Sequence, residues 1–235
     1  MTLTVTDNDG GTTSTSGNVT VTSAYATDTF TRTVANGLGT ANLGGAWSLV
    51  GTASSFSVNG TAGRIGGIVN GTTAAYLTAV RQLNTDTTVD LSLNTAATGG
   101  GTYVSVVGRR ISNANDYRVK LRYVAGGTLS AYLSRTVGNT ETALASVIVP
   151  GLTLVPGDVL RVRLQVTGTG PTTIRAKIWR ATVTEPTAWL LTTTDTTAAL
   201  QAAGDVGVLH YVSGSWTGTA PVVSVDNLNV TPPGP

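Results

Sequence analysis

The sequence has no cysteine, one histidine (His210) and only two glutamates, Glu141 and Glu185. Without cysteine there is no disulfide framework, no thiolate metal site and no cysteine nucleophile. That absence does not by itself place the chain in the cytosol. Charge is scarce too: 11% of residues are charged, against about 25% in an average soluble domain. No run of about 18 apolar residues exists, so no helical membrane span is expected. No signal-peptide pattern is seen. Met1 is followed at once by strand-like sequence, which leads us to expect an excised piece carrying an added start residue.

Thr, Ser, Gly, Ala and Val fill the space that charge leaves. Thr and Val favour a pleated, half-buried surface, while glycine and asparagine supply turns. The 235 residues suffice for one large all-β domain or two smaller ones. This profile suits an extracellular β protein, secreted or at a cell surface. The net charge of +2 hides an asymmetry, because the window from Arg109 to Arg180 holds eleven basic residues against three acids, Asp116, Glu141 and Asp158.

The clearest strand is 116–124. Tyr117, Val119, Leu121 and Tyr123 fall on one face, and Arg118, Lys120 and Arg122 on the other. The pattern returns at 159–166, with Leu160, Val162 and Leu164 inward and Arg161, Arg163 and Gln165 outward. It returns again at 173–180, with Ile174, Ala176 and Ile178 inward and Arg175, Lys177 and Trp179 outward. Strand 86–93 turns Val89, Leu91 and Leu93 inward, and 128–136 does the same with Leu129, Ala131 and Leu133. Further strands are expected near 55–58, 63–68, 73–80, 102–111, 141–149, 205–212 and 221–230. About a dozen strands separated by turns predict an antiparallel β-sandwich. One short helix is expected at 195–203, with Asp195 as N-cap and Gly204 as stop.

Residues 2–22 stand apart as a hairpin with strands around Leu3–Val5 and Val19–Val21. The stretch Thr2-Leu3-Thr4-Val5-Thr6-Asp7-Asn8-Asp9-Gly10-Gly11, followed by Asn18-Val19-Thr20-Val21-Thr22, resembles the last two strands of a PKD domain. That resemblance implies residues 1–24 are the remnant of an immunoglobulin-like spacer, so other domains of a parent chain are expected partners. Thr231-Pro232-Pro233-Gly234-Pro235 reads as the start of an extended linker, occupying 232–235.

Residues 25–231 carry a second resemblance. Asp28-Thr29-Phe30, the Gly-rich loop into Trp47, Asn115-Asp116-Tyr117-Arg118-Val119 and Ile174-Arg175-Ala176-Lys177-Ile178-Trp179 follow one another in order. Gly204-Asp205-Val206-Gly207-Val208 and Val225-Asp226-Asn227-Leu228-Asn229-Val230 close the series. In this order they resemble the concanavalin A-like lectin/glucanase (LamG-like) jelly roll. The resemblance implies two curved antiparallel sheets, carbohydrate binding in many members, and a structural calcium in some. Asp28 and Asp226, in the first and last strands, would be its carboxylate ligands. The alternative is that both acids cap turns.

Chemistry is poorly served by the motifs. Glycosidases need two carboxylates flanking a bond. The glucanase Glu-x-Asp-x-x-Glu strand is absent, and so are the Gln-x-His and Tyr-x-Lys-x-Gly strands of jelly-roll alginate lyases. His210 follows Leu209 and reads as a satisfied strand residue. The run Gly37 to Gly45 opens no helix and lacks lysine, so it is no phosphate cradle. Asp7, Asp9 and Gly10 echo half a calcium loop and read as a plain turn. The expectation is a protein that is not an enzyme.

For binding, Arg118, Lys120, Arg122, Arg161, Arg163, Arg175 and Lys177, with Tyr132 and Trp179, form one candidate surface if their strands neighbour one another. Arginine grips carboxylate and sulfate through two bonds, which suits an acidic polysaccharide. The plain alternative is a solvated face whose long stems cover apolar surface. Trp216 is a candidate sugar platform, with Trp189, His210 and Tyr211 as further loop aromatics, whereas Trp47 reads as core. No nucleic-acid motif accompanies the basic window. The expected role is a non-catalytic carbohydrate-binding module of a multidomain protein. The competing class is a structural or adhesion spacer.

Overall fold

The computed structural model describes residues 2–6, 8–16 and 23–234. Among the described residues, strands β1 (Thr2–Thr6) and β2 (Thr12–Ser16) pair only with each other. The Thr/Ser run is thus the second arm of the hairpin, directly after the Asp/Gly turn. The arm expected around Val19 and Val21 lies outside the described residues.

The chain then lays down β3 (Ala26–Asp28), β4 (Thr33–Ala35), β5 (Ser48–Val50), β6 (Phe56–Asn59) and β7 (Gly63–Gly66). Longer strands follow: β8 (Gly71–Gln82), β9 (Thr85–Leu93), β10 (Thr102–Ser112), β11 (Asn115–Tyr123), β12 (Thr128–Val137) and β13 (Thr140–Thr153). The series closes with β14 (Leu160–Thr167), β15 (Thr172–Arg180), β16 (Leu191–Asp195), β17 (Gly204–Val212) and β18 (Val222–Thr231).

Two antiparallel sheets result. One has seven strands in the spatial order β13-β12-β11-β10-β17-β8-β5. The other has nine, ordered β16-β15-β14-β9-β18-β7-β6-β4, with β3 pairing β18. Between them lies one continuous core. Tyr117, Val119 and Leu121 from β11 and Leu129, Ala131 and Leu133 from β12 supply one side. Val89 and Leu91 from β9, Leu160 to Val166 from β14 and Ile174 to Ile178 from β15 supply the other. Each inward face read from alternation is buried as expected, because a period of two admits only one face to the core.

The helix expected at 195–203 shrinks to a single 3-10 turn, Ala198–Leu200. Asp195 instead ends β16 and accepts bonds from the Tyr117 hydroxyl at 2.7 Å and from Thr197 N at 2.9 Å. A cap competing for tertiary partners does not nucleate a helix. Among the described residues no helix is long and apolar enough to cross a membrane.

Candidate functional site

The topology separates the basic residues. Arg118, Lys120 and Arg122 stand on β11 of the seven-stranded sheet, whereas Arg161 and Arg163 on β14 and Arg175 and Lys177 on β15 belong to the nine-stranded one. All point away from the shared core, so the two groups face opposite sides of the sandwich. They do not make one surface.

Nor do they make a free positive field. Arg161 grips Asp90 through two bonds of 2.7 Å. Arg163 grips Asp86 at 2.8 and 2.6 Å and also reaches Glu185 at 2.7 Å. Lys177 shares Glu185 at 2.7 Å. On the other face Arg118 grips Asp116, Lys120 pairs with Glu141, and Arg110 holds Asp205 at 2.7 and 2.8 Å. The acids of β9 and β17 are distant in sequence from their cations, but strand pairing lays them alongside, and the 181–190 strap folds Glu185 back onto Lys177 and Arg163. Burial opposes ionisation of Glu185, yet Lys177 and Arg163 more than offset it and hold its carboxyl below the usual range. The Asp86 carboxylate, ahead of an opposing burial effect, keeps the Arg163 guanidinium firmly charged.

Arg122 is different. Among the described residues it makes no ion pair. Its Nη2 donates to Gly100 O at 3.3 Å, its Nε is buried without a partner, and its guanidinium lies 5.5 Å from the Tyr103 ring. Its ring neighbour Tyr103 lines a hollow of about 390 Å³ on the outer face of the seven-stranded sheet, together with Thr72, Ser105, Arg118, Lys120, Glu141, Leu209 and Tyr211, so Arg122 stands behind the Tyr103 wall.

Register explains how this hollow is assembled. Residues opposite one another run Tyr132–Lys120–Ser105–Leu209 in one row and Ser130–Arg122–Tyr103–Tyr211 in the next. The Tyr103 and Tyr211 rings sit 5.7 Å apart at 51°. The Lys120 ammonium lies 5.7 Å from the Tyr103 ring and 5.1 Å from Tyr132. Ser105 points away from the core yet is 0% exposed, because these long side chains rise around it. Its hydroxyl has no partner, and neither does that of Ser134. A buried polar atom left unpaired costs about 1–3 kcal/mol, so it marks a place where another polar group fits. In β17, Gly207 admits the Tyr76 ring: a Cβ there would come within 2.4 Å of it, and the Arg110 guanidinium lies on that ring at 3.8 Å.

The hollow can therefore stack flat apolar faces on Tyr103 and Tyr211. It can also exchange hydrogen bonds with hydroxyls at Ser105 and hold an anionic group at Arg122. Lys120, Glu141 and the tyrosines are its titratable groups. Tyr103 and Ser105 were absent from the sequence-derived candidates, although their alternation with Val104 and Val106 was visible. Tyr211, read as a loop aromatic, lies in β17.

On the opposite side Trp179 is 6% exposed. It adjoins a cleft of about 560 Å³ shared with Trp189, Lys177 and Arg180. Trp216 is not a platform: it is 6% exposed, and its indole N–H is bound to Thr219 O at 3.0 Å. Trp47 is core as expected, stacked on Phe30 with centroids 5.9 Å apart. His210 is 0% exposed, with Nε2 2.8 Å from Thr102 Oγ1 and Nδ1 3.3 Å from Ile65 O. Burial pushes its ring down to about 4, so it stays neutral near pH 7.

The calcium expected between Asp28 and Asp226 does not fit. Asp28 already accepts Arg32 Nη1 and Nη2 at 2.7 and 2.8 Å, Trp47 Nε1 at 2.7 Å and Phe30 N at 3.0 Å. A guanidinium occupies the place a cation would take. Asp226 keeps one buried unpaired oxygen, and burial, then Asp90 and Asp28, raise its carboxyl. One oxygen is far from the six to eight that calcium takes. Among the described residues no group of three or more His, Cys, Asp or Glu could hold a metal.

No family model matches the chain, and no curated protein matches it in sequence. Solved structures do share its architecture. The GH43 BlXynB protein from Bacillus licheniformis superposes with a TM-score of 0.58 at 12% identity, over 98% of this chain. This chain spans 46% of that structure's length. The alginate lyase Aly36B gives 0.54 at 10% identity, covering 97% of this chain and 96% of its own. The Bacillus licheniformis beta-glucanase gives 0.54 at 10% identity, covering 80% and 92%. The likeness is one of fold. It makes the sandwich a jelly roll, and it corrects the expectation that the chain is not an enzyme. Structures of this fold include enzymes, and the missing motifs tested only two known catalytic arrangements, not the hollow's own titratable groups.

Proposed function

We propose that the hollow binds a polysaccharide chain, with Tyr103 and Tyr211 stacking on sugar rings and an acidic unit seated at Arg122. The observation that carries this reading is an orphaned buried hydroxyl, that of Ser105, inside an aromatic-walled hollow, with a second orphaned buried group, the Arg122 Nε, on the residue beside its Tyr103 wall. The anionic preference comes from the one guanidinium beside the hollow that, among the described residues, no carboxylate holds, rather than from a broad basic face. Carbohydrate-active structures of the same fold support the substrate class. The low charge and Thr/Gly-rich composition support a secreted or cell-surface setting. The hairpin ahead of the sandwich supports membership of a larger multidomain chain with a PKD-like neighbour.

A second reading, a structural or adhesion spacer without a sugar site, is favoured by the spending of most basic residues on ion pairs. A glycan array separates the two, with every bound glycan then incubated and checked for chain shortening. Binding to uronate-containing glycans, lost in Tyr103→Ala, supports the first. No binding to any glycan, acidic ones included, supports the spacer.

A further inference from the structure

We propose that the cleft beside Trp179 and Trp189, lined by β13 of the seven-stranded sheet and by β15 and the 181–190 strap of the other, is a second ligand site, and that it takes an uncharged sugar residue. This rests on the carbohydrate reading of the hollow but uses none of its residues.

The cleft measures about 560 Å³, within the usual range for small-molecule sites. Its lining is dominated by the two indoles together with Val149, Pro150, Leu152 and Pro186. Flat, rigid rings of this kind suit the C–H face of a pyranose, and they lose little freedom on binding.

The cations of the cleft are committed. Lys177 holds Glu185 at 2.7 Å and lies 4.9 Å from the Trp189 ring. Arg180 holds Asp158 at 2.7 Å and donates to Thr153 O at 2.6 Å. An anionic ligand would have to compete with these carboxylates, whereas an uncharged one would not. That distinguishes the cleft from the hollow, where Arg122 is uncommitted.

The donors tell the same way. Trp47 and Trp216 give their indole N–H groups to Asp28 and Thr219 O. Among the described residues, Trp179 and Trp189 give theirs to no protein acceptor, and neither is among the buried unpaired atoms, so both N–H groups are open to solvent and to a ligand. Two unpaired N–H donors beside stacking faces suit a ligand rich in acceptor oxygens. The site is also held ready. The strap at 181–190 is tied to the sheet by Glu185, and Trp189 is flanked by Arg163 at 5.6 Å and Arg175 at 4.5 Å.

The test is calorimetric titration of the full chain with xylohexaose, cellohexaose, laminarihexaose and mannohexaose, each with and without a saturating alginate hexasaccharide. At least one neutral hexasaccharide binds the wild type, and the uronate does not displace it. Trp189→Ala weakens that binding by about tenfold or more, the scale of a truncated aromatic hot spot. Trp179→Phe, which keeps an aromatic face on a smaller ring and removes the N–H, weakens it less and guards against a folding failure. The proposal is overturned if no neutral hexasaccharide binds, if both variants bind as tightly as wild type, or if the uronate displaces the neutral sugar. Failure of alginate and polygalacturonate hexasaccharides alike to bind overturns the reading of the hollow alone.

Discussion

Replacing His210 with glutamine removes a buried group that resists protonation. In the unfolded chain a histidine takes up its proton near pH 6.5, whereas in the folded protein burial delays this to about pH 4. Between those values the unfolded state binds more protons, so stability falls as pH drops through the window and is flat above it. Each pH unit in this window corresponds to about 1.4 kcal/mol, so the full loss is on the order of 3 kcal/mol. For a chain of this size that lowers the melting temperature by roughly 6–12 °C. The assay is a series of thermal melts from about pH 7.5 to about pH 4, wild type against His210→Gln, across the interval where histidine titrates. Glu185 and Asp195, whose carboxyls lie below their usual range, are present in both proteins and cancel. The wild type should lose stability across the window and the variant should lose much less. Parallel curves would refute the reasoning.

Three further outcomes follow from the same geometry. Asp28→Ala strands the Arg32 guanidinium and the Trp47 N–H in a buried site, and should cost about 3–5 kcal/mol in chemical denaturation. Ser105→Ala removes an unpaired buried hydroxyl. It should leave the free protein equally stable or up to about 1 kcal/mol more stable, while weakening glycan binding in the same titrations. Leu121→Ala, at a fully buried position between the sheets, should cost about 2–5 kcal/mol with the melting transition still cooperative.

The inward faces were legible because strand alternation is local. Tyr117 to Tyr123, Leu160 to Leu164 and Ile174 to Ile178 needed no knowledge of their neighbours to be placed in the core. Trp47 and His210, read as core and as a satisfied strand residue on the weight of residue type, are also buried. What was not legible is which strands share a sheet. The β11 and β14–β15 charge rows obey one local pattern, yet they face opposite ways because their strands enter different sheets. The pairing of Arg161 with Asp90, and of Arg163 with Asp86, depends on β9 lying next to β14, a contact between segments some 70 residues apart. A charge surplus counted along the sequence window was therefore never a surplus in space. Trp216 misled for a similar reason: its Gly/Ser surroundings suggest an exposed loop, but the Thr219 carbonyl folds the loop back over it.

The hollow was half visible. Lys120, Arg122 and Tyr132 were read from one strand and its hairpin partner. Tyr103, Tyr211 and Ser105 join them only because β10 sits between β11 and β17. The orphaned atoms that point to a ligand are properties of packing, which no pattern of residue types displays.

The most direct test of the central claim is calorimetric titration of alginate and polygalacturonate hexasaccharides into wild type and Arg122→Gln at two salt concentrations. We expect at least one uronate to bind the wild type, weakening with salt as a charge contact does, and to bind Arg122→Gln at least about tenfold more weakly. Equal binding to both proteins, or no uronate binding at either salt concentration, would contradict the assignment of Arg122 as the anion seat of a polysaccharide site.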